Sequence, residues 1–409
     1  MCVRVLSIFL LICLLTVRPL QAGINFQDSA ADGSKDVAAE IERLMREGDE
    51  AHFNLDYPVA RKRYQQIIRM APDHPAGYYR MANDLWIETL NKSRRLSSSL
   101  YSNDSFYAET DGPDDFDPKR DLEFKELTSK ALERAEAMAK RNPDQPEWLY
   151  YQGAVHGLRA AYTITVKRSF RQALGDGDDS VKFQRKVVEM DKDFIDAYLT
   201  IGIYEYGVGS LAKWKKFFAW IIGRKGSKKD GIAHIEMVAE KGRLARDDAR
   251  VLLIAIYSRE DQAERALEII SDLVNKYPRN YLLGIERAVM LYRMGRGDEG
   301  ERAFNRMLAA AEIAEEAADA VNYQWAEALQ LVRNYKGALG RYESVIEWSK
   351  SDPGLVTLAH LHMGQALDAL GKRDEARSHY KMVLARDNIY DSHKLAKQFT
   401  TKPYVPPRR

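Results

Sequence analysis

The sequence predicts an all-α protein, a right-handed superhelical solenoid of about eight helix pairs spanning residues 39–399. Charged residues make up 30% of the chain and prolines number only 13 in 409 residues, a composition that suits helices and argues against bulk disorder. Small residues, aromatic residues and prolines also recur at fixed spacings. Self-similarity of this kind is the sequence signature of a helical repeat array.

The repeat spacing is clearest in two segments. In the first, twelve residues separate Gly48 from Ala60, and four more lead to Tyr64. Pro72 follows eight residues after Tyr64. The same spacings recur in the second segment, at Gly364, Ala376, Tyr380 and Asn388.

These segments resemble the tetratricopeptide repeat, a helix–turn–helix unit of about 34 residues. Small residues such as Gly48 and Ala60 suit the point where two helices cross, since a larger side chain would push the helices apart. Tyr64 and Tyr380 are expected to fill the gap between one repeat and the next. Pro72 is expected to end the second helix, because proline cannot continue it.

Three consecutive repeats depart from this spacing at the same step. The expected separation of 12 residues grows to 49, 27 and 29 residues. The excess predicts insertions at about 89–121, 162–177 and 209–229. In a stacked array the turns within the pairs lie on one edge, so three adjacent loops there could build a composite site. Neutral growth of surface loops is the competing explanation.

The third insertion combines aromatic and basic residues in 211–225. At helical spacing its apolar residues share one stripe, and lysines surround them, as in helices that lie on a membrane surface. The alternative is a helix folded back over the solenoid with its aromatic rings buried. Gly209–Gly231 also resembles, loosely, the eukaryotic inclusion-body clearance family of tetratricopeptide proteins. The predicted membrane or lid contacts are Trp214, Phe217, Phe218, Trp220 and Ile221.

The tetratricopeptide resemblance implies that the first helix of each pair lines a concave groove. Aromatic side chains are typical of protein recognition sites, and packing in the core is the competing explanation for part of this set. Met45 stands where chaperone-binding members have a lysine, so binding of chaperone tails is not predicted. The groove positions are Met45, Asp49, Phe53, Tyr79, Asn83, Trp86, Tyr150 and Tyr206.

Residues 1–22 read as a signal peptide. Arg4 precedes an apolar run from Val5 to Val17, and Ala22 stands at the expected cleavage site. The sequence therefore predicts export, to the periplasm or out of the cell, with an uncleaved anchor as the alternative. Residues 23–38 are expected to be flexible, and the Pro/Arg-rich tail 400–409 to be frayed.

No pattern in the sequence indicates catalysis. It has no phosphate-binding glycine loop, no nucleophile elbow and no zinc-protease motif. His360 and His362 would point to different faces of a helix, so one metal ion would not hold both. We expect a non-enzymatic scaffold that binds a protein or peptide and has no cofactor. A membrane surface is the alternative partner. Cleavage would leave 60 basic and 60 acidic residues, a balance that argues against nucleic acid.

Overall fold

The computed structural model describes residues 30–92, 117–167, 169–210 and 226–407. Within these ranges the regular structure is helical throughout, which confirms the all-α prediction. None of the described helices is long and apolar enough to cross a membrane. The helices are α1 Ala30–Phe53, α2 Tyr57–Met70, α3 Pro75–Lys92, α4 Pro118–Arg141, α5 Pro146–Thr165, α6 Phe170–Met190, α7 Tyr198–Gly209, α8 Lys228–Lys241, α9 Arg246–Arg259, α10 Ala263–Lys276, α11 Tyr281–Arg293, α12 Gly297–Ala309, α13 Ala311–Leu331, α14 Tyr335–Glu347, α15 Pro353–Ala369, α16 Arg373–Leu384 and α17 Ser392–Thr401.

The described residues form two compact units. Unit 1 contains residues 30–92 and the described residues of 117–262, with helices α1 to α9. Unit 2 contains residues 263–407, with helices α10 to α17. The sequence predicted one continuous array, so the division after α9 is a feature that the repeat spacing did not reveal.

Small residues lie where paired helices cross, as predicted. A Cβ atom on Gly48 of α1 would lie 2.4 Å from a ring carbon of Tyr64 in α2, and Gly364 of α15 has the same relation to Tyr380 of α16, at 2.5 Å. Both distances are far below van der Waals contact, so each ring needs a glycine opposite it. Each tyrosine therefore packs against the first helix of its own pair. The Tyr380 ring also meets that of Phe399 in α17, with centroids 5.7 Å apart, so this tyrosine fills the gap to the following helix as expected.

The predicted crossings also hold in the pairs that carry insertions. The hydroxyl of Ser180 in α6 donates to the carbonyl oxygen of Gly153 in α5, at 2.7 Å. A Cβ atom on Gly231 of α8 would lie 2.6 Å from the carbonyl oxygen of Gly202 in α7. The contact between the paired helices is therefore kept, and the extra residues lie outside it.

The second insertion is not a loop. α5 continues to Thr165 and α6 begins at Phe170, so the extra residues at 162–177 lengthen both helices. The prediction of three loops on one edge is wrong at this position, because the segment offers no proline that would end a helix. Residues 93–116 of the first insertion and 211–225 of the third lie outside the described residues. The contacts predicted for Trp214, Phe217, Phe218, Trp220 and Ile221 lie there too.

Both ends of the described chain differ from expectation. α1 begins at Ala30, so residues 30–38 of the segment expected to be flexible are helical. At the other end, the backbone N–H of Tyr404 donates to Asp368 Oδ2 at 2.7 Å, and the guanidinium of Arg333 donates to the carbonyl of Pro407 at 3.0 Å. The tail through residue 407 is packed on unit 2 rather than frayed, because its backbone finds charged partners there.

Candidate functional site

The first helices of unit 1 place polar side chains around Arg80. This residue of α3 is buried, and its guanidinium lies 3.2 Å from Asp49 Oδ2 of α1. Burial lowers the pKa of Arg80, but the nearby carboxylates of Asp49 and of Asp248 in α9 help to raise it above its ordinary value. The guanidinium therefore stays charged inside the unit, matched by acidic groups from two other helices.

A capped turn holds the start of α9 beside α1. Asp196, just before α7, accepts hydrogen bonds from the backbone N–H groups of Arg243, Leu244 and Ala245, at 3.1, 2.9 and 2.8 Å. The guanidinium of Arg243 lies 3.8 Å from the Glu42 carboxylate of α1. The face of unit 1 bounded by α1, α3, α5 and the start of α9 is called the inner face below.

Three buried tyrosines, the tyrosine floor, lie on the inner face: Tyr79, Tyr150 and Tyr151. The ring of Tyr151 meets those of Tyr79 and Tyr150 edge to face, with centroids 6.3 and 5.9 Å apart. Burial raises the pKa of both Tyr150 and Tyr151. The charge of Asp196 raises that of Tyr150 further, and the charge of Glu147 raises that of Tyr151 further.

Some polar atoms of the inner face have no hydrogen-bond partner. Among the described residues this holds for the hydroxyls of Tyr150 and Tyr151 and for Oδ1 of Asn83. A buried polar group without a partner costs about 1–3 kcal/mol, so such groups are rare in folded proteins. Water or a bound molecule would be needed to complete the hydrogen bonding of these atoms.

The inner face opens to solvent at Glu42, His74 and Glu147, called the acidic mouth. The side chain of Glu147 is 24% exposed, and its carboxylate lies 3.8 Å from His74 Nε2. Burial raises the pKa of Glu147 to about 7, with a smaller contribution from the charge of Glu42. Burial also lowers the pKa of His74 to about 4. Glu147 therefore combines partial solvent exposure with a carboxyl group whose ionised form is disfavoured.

Aromatic rings connect the acidic mouth with the tyrosine floor. The His74 ring lies edge to face against Trp148 and Tyr151, with centroids 5.4 and 5.6 Å apart. The mouth therefore combines carboxyl groups with an aromatic wall.

The structure brings three of the predicted groove residues together around Arg80. Asp49 pairs with its guanidinium, which lies 5.8 Å from the centre of the Tyr79 ring, and the charge of Arg80 acts on the hydroxyl of Tyr150. The fourth, Asn83, follows one turn after Tyr79 on α3. All of them except Asp49 are buried. They reach a partner only if the partner enters between the helices.

The other four predicted groove residues are corrected. Met45 and Phe53 are buried in the core. The indole of Trp86 donates to Thr165 Oγ1 at 2.7 Å, and the hydroxyl of Tyr206 donates to Glu260 Oε1 at 2.7 Å. These side chains hold helices together rather than facing a groove. The spacing that selects the inner side of a helix also selects its contacts with neighbouring helices.

Sequence reasoning missed several residues of the site. The acidic mouth was not predicted at all. Arg80 carried a usable signal, since a charged residue follows Tyr78 and Tyr79 in a helix with many apolar positions. A charged side chain within a buried stretch is rarely without a function or a partner.

Unit 2 places the two neighbouring histidines with different partners, as predicted. His360 Nδ1 lies 3.0 Å from His379 Nδ1, whereas His362 hydrogen-bonds to Glu327. Burial alone would lower the pKa of His362, but the Glu327 carboxylate raises it. In the part of the chain that the structure describes, no group of acidic residues, histidines or cysteines is arranged to hold a metal ion.

A helical-repeat family model matches part of the chain. The tetratricopeptide-repeat family model matches residues 358–387, most of the α15–α16 pair. No curated protein matches the chain. The resemblance of Gly209–Gly231 to the inclusion-body clearance family stays a prediction, because 211–225 lie outside the described residues.

Solved structures similar to the chain have low sequence identity. The human IFIT1 dimer with m7Gppp-AAAA is 13% identical, covers 97% of this chain and 89% of that chain, and gives a TM-score of 0.43. Yeast Tom70 is 13% identical with 91% of both chains covered and a TM-score of 0.38. A thermophilic tetratricopeptide protein of Thermus thermophilus is 17% identical, covers 58% of this chain and 92% of that chain, and gives a TM-score of 0.25. At these values the alignments carry no argument about what the chain binds.

Proposed function

Since the chain is a tetratricopeptide-repeat protein, we propose that it is a binding scaffold whose unit 1 holds a segment of a partner protein at the inner face. One observation carries the proposal. The partly exposed His74 and Glu147 side chains lie beside the ring of Tyr151, whose buried hydroxyl has no hydrogen-bond partner among the described residues. A scaffold role needs neither a cofactor nor a reaction.

A protein segment suits the chemistry of the inner face. Each peptide unit offers one donor and one acceptor, which match the hydroxyls of Tyr150 and Tyr151 and the amide oxygen of Asn83. Aromatic side chains around the entry, such as Trp148, give contact area at a low entropic cost. Both features are common at the centres of protein interfaces.

The charge of the inner face disfavours nucleic acid as the partner. A surface that binds DNA or RNA needs a surplus of arginine and lysine, because contacts with the phosphate groups dominate the affinity. Among the charged residues described above for the inner face, carboxylates outnumber guanidinium groups. The acidic groups are Glu42, Asp49, Glu147 and Asp248, and the basic groups are Arg80 and Arg243.

The test of this function is site-specific photocrosslinking in an extract of the native host. A photoreactive amino acid replaces Arg243, which is 40% exposed beside the acidic mouth, or Met382 of unit 2, which is 54% exposed, as the matched control. We expect one defined protein adduct at position 243 that is absent at position 382. The same adducts at both positions, or none at 243, would rule the proposal out.

We also propose that the chain is exported before it binds. The support is the apolar run Val5–Val17, with Arg4 before it and Ala22 after it. N-terminal sequencing of the protein from its host should give Gly23 as the first residue and place the protein outside the cytoplasm. Recovery of a cytoplasmic protein that begins at Met1 would contradict export.

A second function, binding to a membrane surface through residues 211–225, is favoured by one observation. A Cβ atom on Gly209 would lie 2.3 Å from the backbone nitrogen of Lys228, and one on Gly226 would lie 2.7 Å from the carbonyl oxygen of Glu205. The described residues that flank 211–225 therefore lie in contact with each other.

Flotation with anionic liposomes tests this second function. We expect wild-type protein to float and a variant with Trp214→Ala, Phe218→Ala and Trp220→Ala to stay at the bottom, because interfacial binding scales with buried apolar area. Equal behaviour of the two proteins would reject membrane binding.

A further inference from the structure

The tail, residues 402–407, lies on unit 2 in an extended conformation. Lys402, directly after α17, has extended backbone angles, and each proline of the tail restricts the residue before it to such a conformation. Burial alternates along the segment, since Tyr404 and Pro406 are partly buried while the residues beside them are exposed. This alternation is typical of an extended chain that lays one face on a surface.

Charged side chains of unit 2 bind main-chain atoms of the tail. The backbone N–H of Tyr404 donates to Asp368 Oδ2 at 2.7 Å, and the guanidinium of Arg333 donates to the carbonyl oxygen of Pro407 at 3.0 Å. The buried Asp368 side chain is held in place by Arg373, at 2.9 Å, and by the hydroxyl of Tyr380, at 2.8 Å. Hydrogen bonds to main-chain atoms give affinity for an extended backbone whatever its sequence, as in proteins that bind peptides as added strands.

Arg333 adopts a backbone conformation that favours glycine. Its φ is 62°, in the turn between α13 and α14. The corresponding turns of the two flanking pairs, α11–α12 and α15–α16, have Gly295 and Gly371 there, each with a φ of 76°. A side chain strains the backbone in this region, and such strain often accompanies a role in binding. The residue that bears the strain is the one that holds the carbonyl of Pro407.

We propose that the surface of unit 2 beneath the tail is a peptide-binding site, which the tail occupies until an extended segment of a partner protein displaces it. The site goes beyond the function proposed for unit 1, because both the surface and the occupant are different. The partner segment offers an N–H to Asp368 and, three residues later, a carbonyl to Arg333, as the tail does. Its aromatic side chain packs on Phe399 in place of Tyr404. Because most side chains of the tail are exposed, its release uncovers little apolar surface.

Fluorescence polarisation with a labelled peptide of residues 400–409 tests the proposal. The two proteins are the full chain and the same chain ending at Lys402. A tethered segment outcompetes a free one, so we expect the shortened chain to bind the peptide about tenfold or more tightly than the full chain does. A peptide with N-methyltyrosine at position 404 lacks the N–H that meets Asp368 and should bind about tenfold more weakly. The matched control peptide with Val405→Ala should bind as well as the parent, because Val405 is 77% exposed.

Arg333→Gly separates binding from folding. In the shortened chain, glycine removes the guanidinium and suits the left-handed backbone, so the variant should melt no lower than the shortened chain itself. Its affinity for the peptide should nevertheless fall about tenfold, because the bond to the carbonyl of Pro407 is lost. A residue with a structural role alone would not lower affinity while leaving the melting temperature unchanged.

Each other outcome overturns the inference. A shortened chain that is unfolded, or that is folded and does not bind the peptide, shows that the tail is a fixed part of unit 2. Equal binding by the full and shortened chains, or undiminished binding of the N-methyl peptide or by Arg333→Gly, shows that the peptide binds elsewhere. A full chain that dimerises, beside a shortened chain that stays monomeric, assigns the surface to the tail of a second copy rather than to a partner protein.

Discussion

Glu147 Oε1 lies 3.8 Å from Nε2 of His74, and burial disfavours the charged form of both side chains. The carboxyl has a pKa of about 7 in place of its ordinary value near 4.5. A carboxyl whose pKa is raised by folding lowers stability once it ionises. Ionisation of Glu147 at neutral pH therefore lowers the stability of unit 1. Perturbed pKa values of this kind are common in functional sites.

The first prediction concerns the stability of Glu147→Gln. Below pH 4.5 the carboxyl is protonated in both states, so the variant and wild type should be equally stable. Between pH 4.5 and 7 the unfolded chain ionises first and wild type loses stability. Above pH 7 the variant should be more stable by roughly 1–3 kcal/mol.

Melting temperatures of both proteins between pH 4 and pH 9 check this prediction. Protonation of His74 affects both proteins alike and cancels in the difference. A difference that is constant over the whole range, or that favours wild type at pH 8, would show that Glu147 is not in a desolvated site.

The second prediction concerns two glycines of unit 2. Gly364→Ala should destabilise the protein by about 1–3 kcal/mol, because the new methyl group would lie 2.5 Å from the Tyr380 ring. Gly340→Ala in α14 meets no atom within 4 Å and should stabilise the helix by about 0.5–1 kcal/mol. Denaturant unfolding of both variants measures the difference. The same sign for both would contradict the predicted crossing.

Much of the fold could be predicted from these small residues. Glycine or alanine at a crossing is a steric requirement, so Gly48, Ala60, Gly202 and Gly231 left a spacing in the sequence that survived the insertions. The division into two units has no corresponding pattern in the sequence. The continuation of α5 and α6 through 162–177 could not be predicted either, since the spacing showed that residues are inserted there but not their conformation.

The third prediction concerns the turn that brings α9 to the inner face. Asp196→Ala would remove the acceptor of three backbone N–H groups, those of Arg243, Leu244 and Ala245. We expect a loss of about 2–3 kcal/mol in unit 1. Asn334→Ala, the matched control, removes one cap bond to Gly337 in unit 2 and should cost about 1 kcal/mol. Hydrogen exchange of α9 measures the effect, and unchanged protection in Asp196→Ala would contradict it.

The fourth prediction concerns the C-terminal tail. The Tyr404 ring meets Phe399 edge to face at 5.4 Å, and its backbone N–H bonds to Asp368. Tyr404→Ala should lower the melting temperature of unit 2 and make the tail more sensitive to protease, because it removes this packing. Val405→Ala, at a position 77% exposed, should change neither. Equal protease sensitivity of the two variants would mean that the tail is not held by Tyr404.

Less of the candidate site could be predicted from the sequence. Tyr79, Asn83 and Tyr150 were predicted from their positions on the first helices. Glu147 and His74 could not be predicted, because their pairing depends on how α5 meets the α2–α3 turn. Met45 and Trp86 were predicted as groove residues but are buried between helices. A residue on the inner side of a helix also contacts the next helix, so the spacing does not separate the two roles.

Cysteine labelling tests the central claim, that the inner face of unit 1 is where a partner binds. The chain after residue 22 has no cysteine, so Arg243→Cys beside the acidic mouth and Met382→Cys in unit 2 each give one thiol. The measurement is the rate of maleimide labelling with and without the purified partner. We predict that the partner slows labelling at position 243 and leaves position 382 unchanged. An unchanged rate at position 243 with the partner bound would contradict the claim.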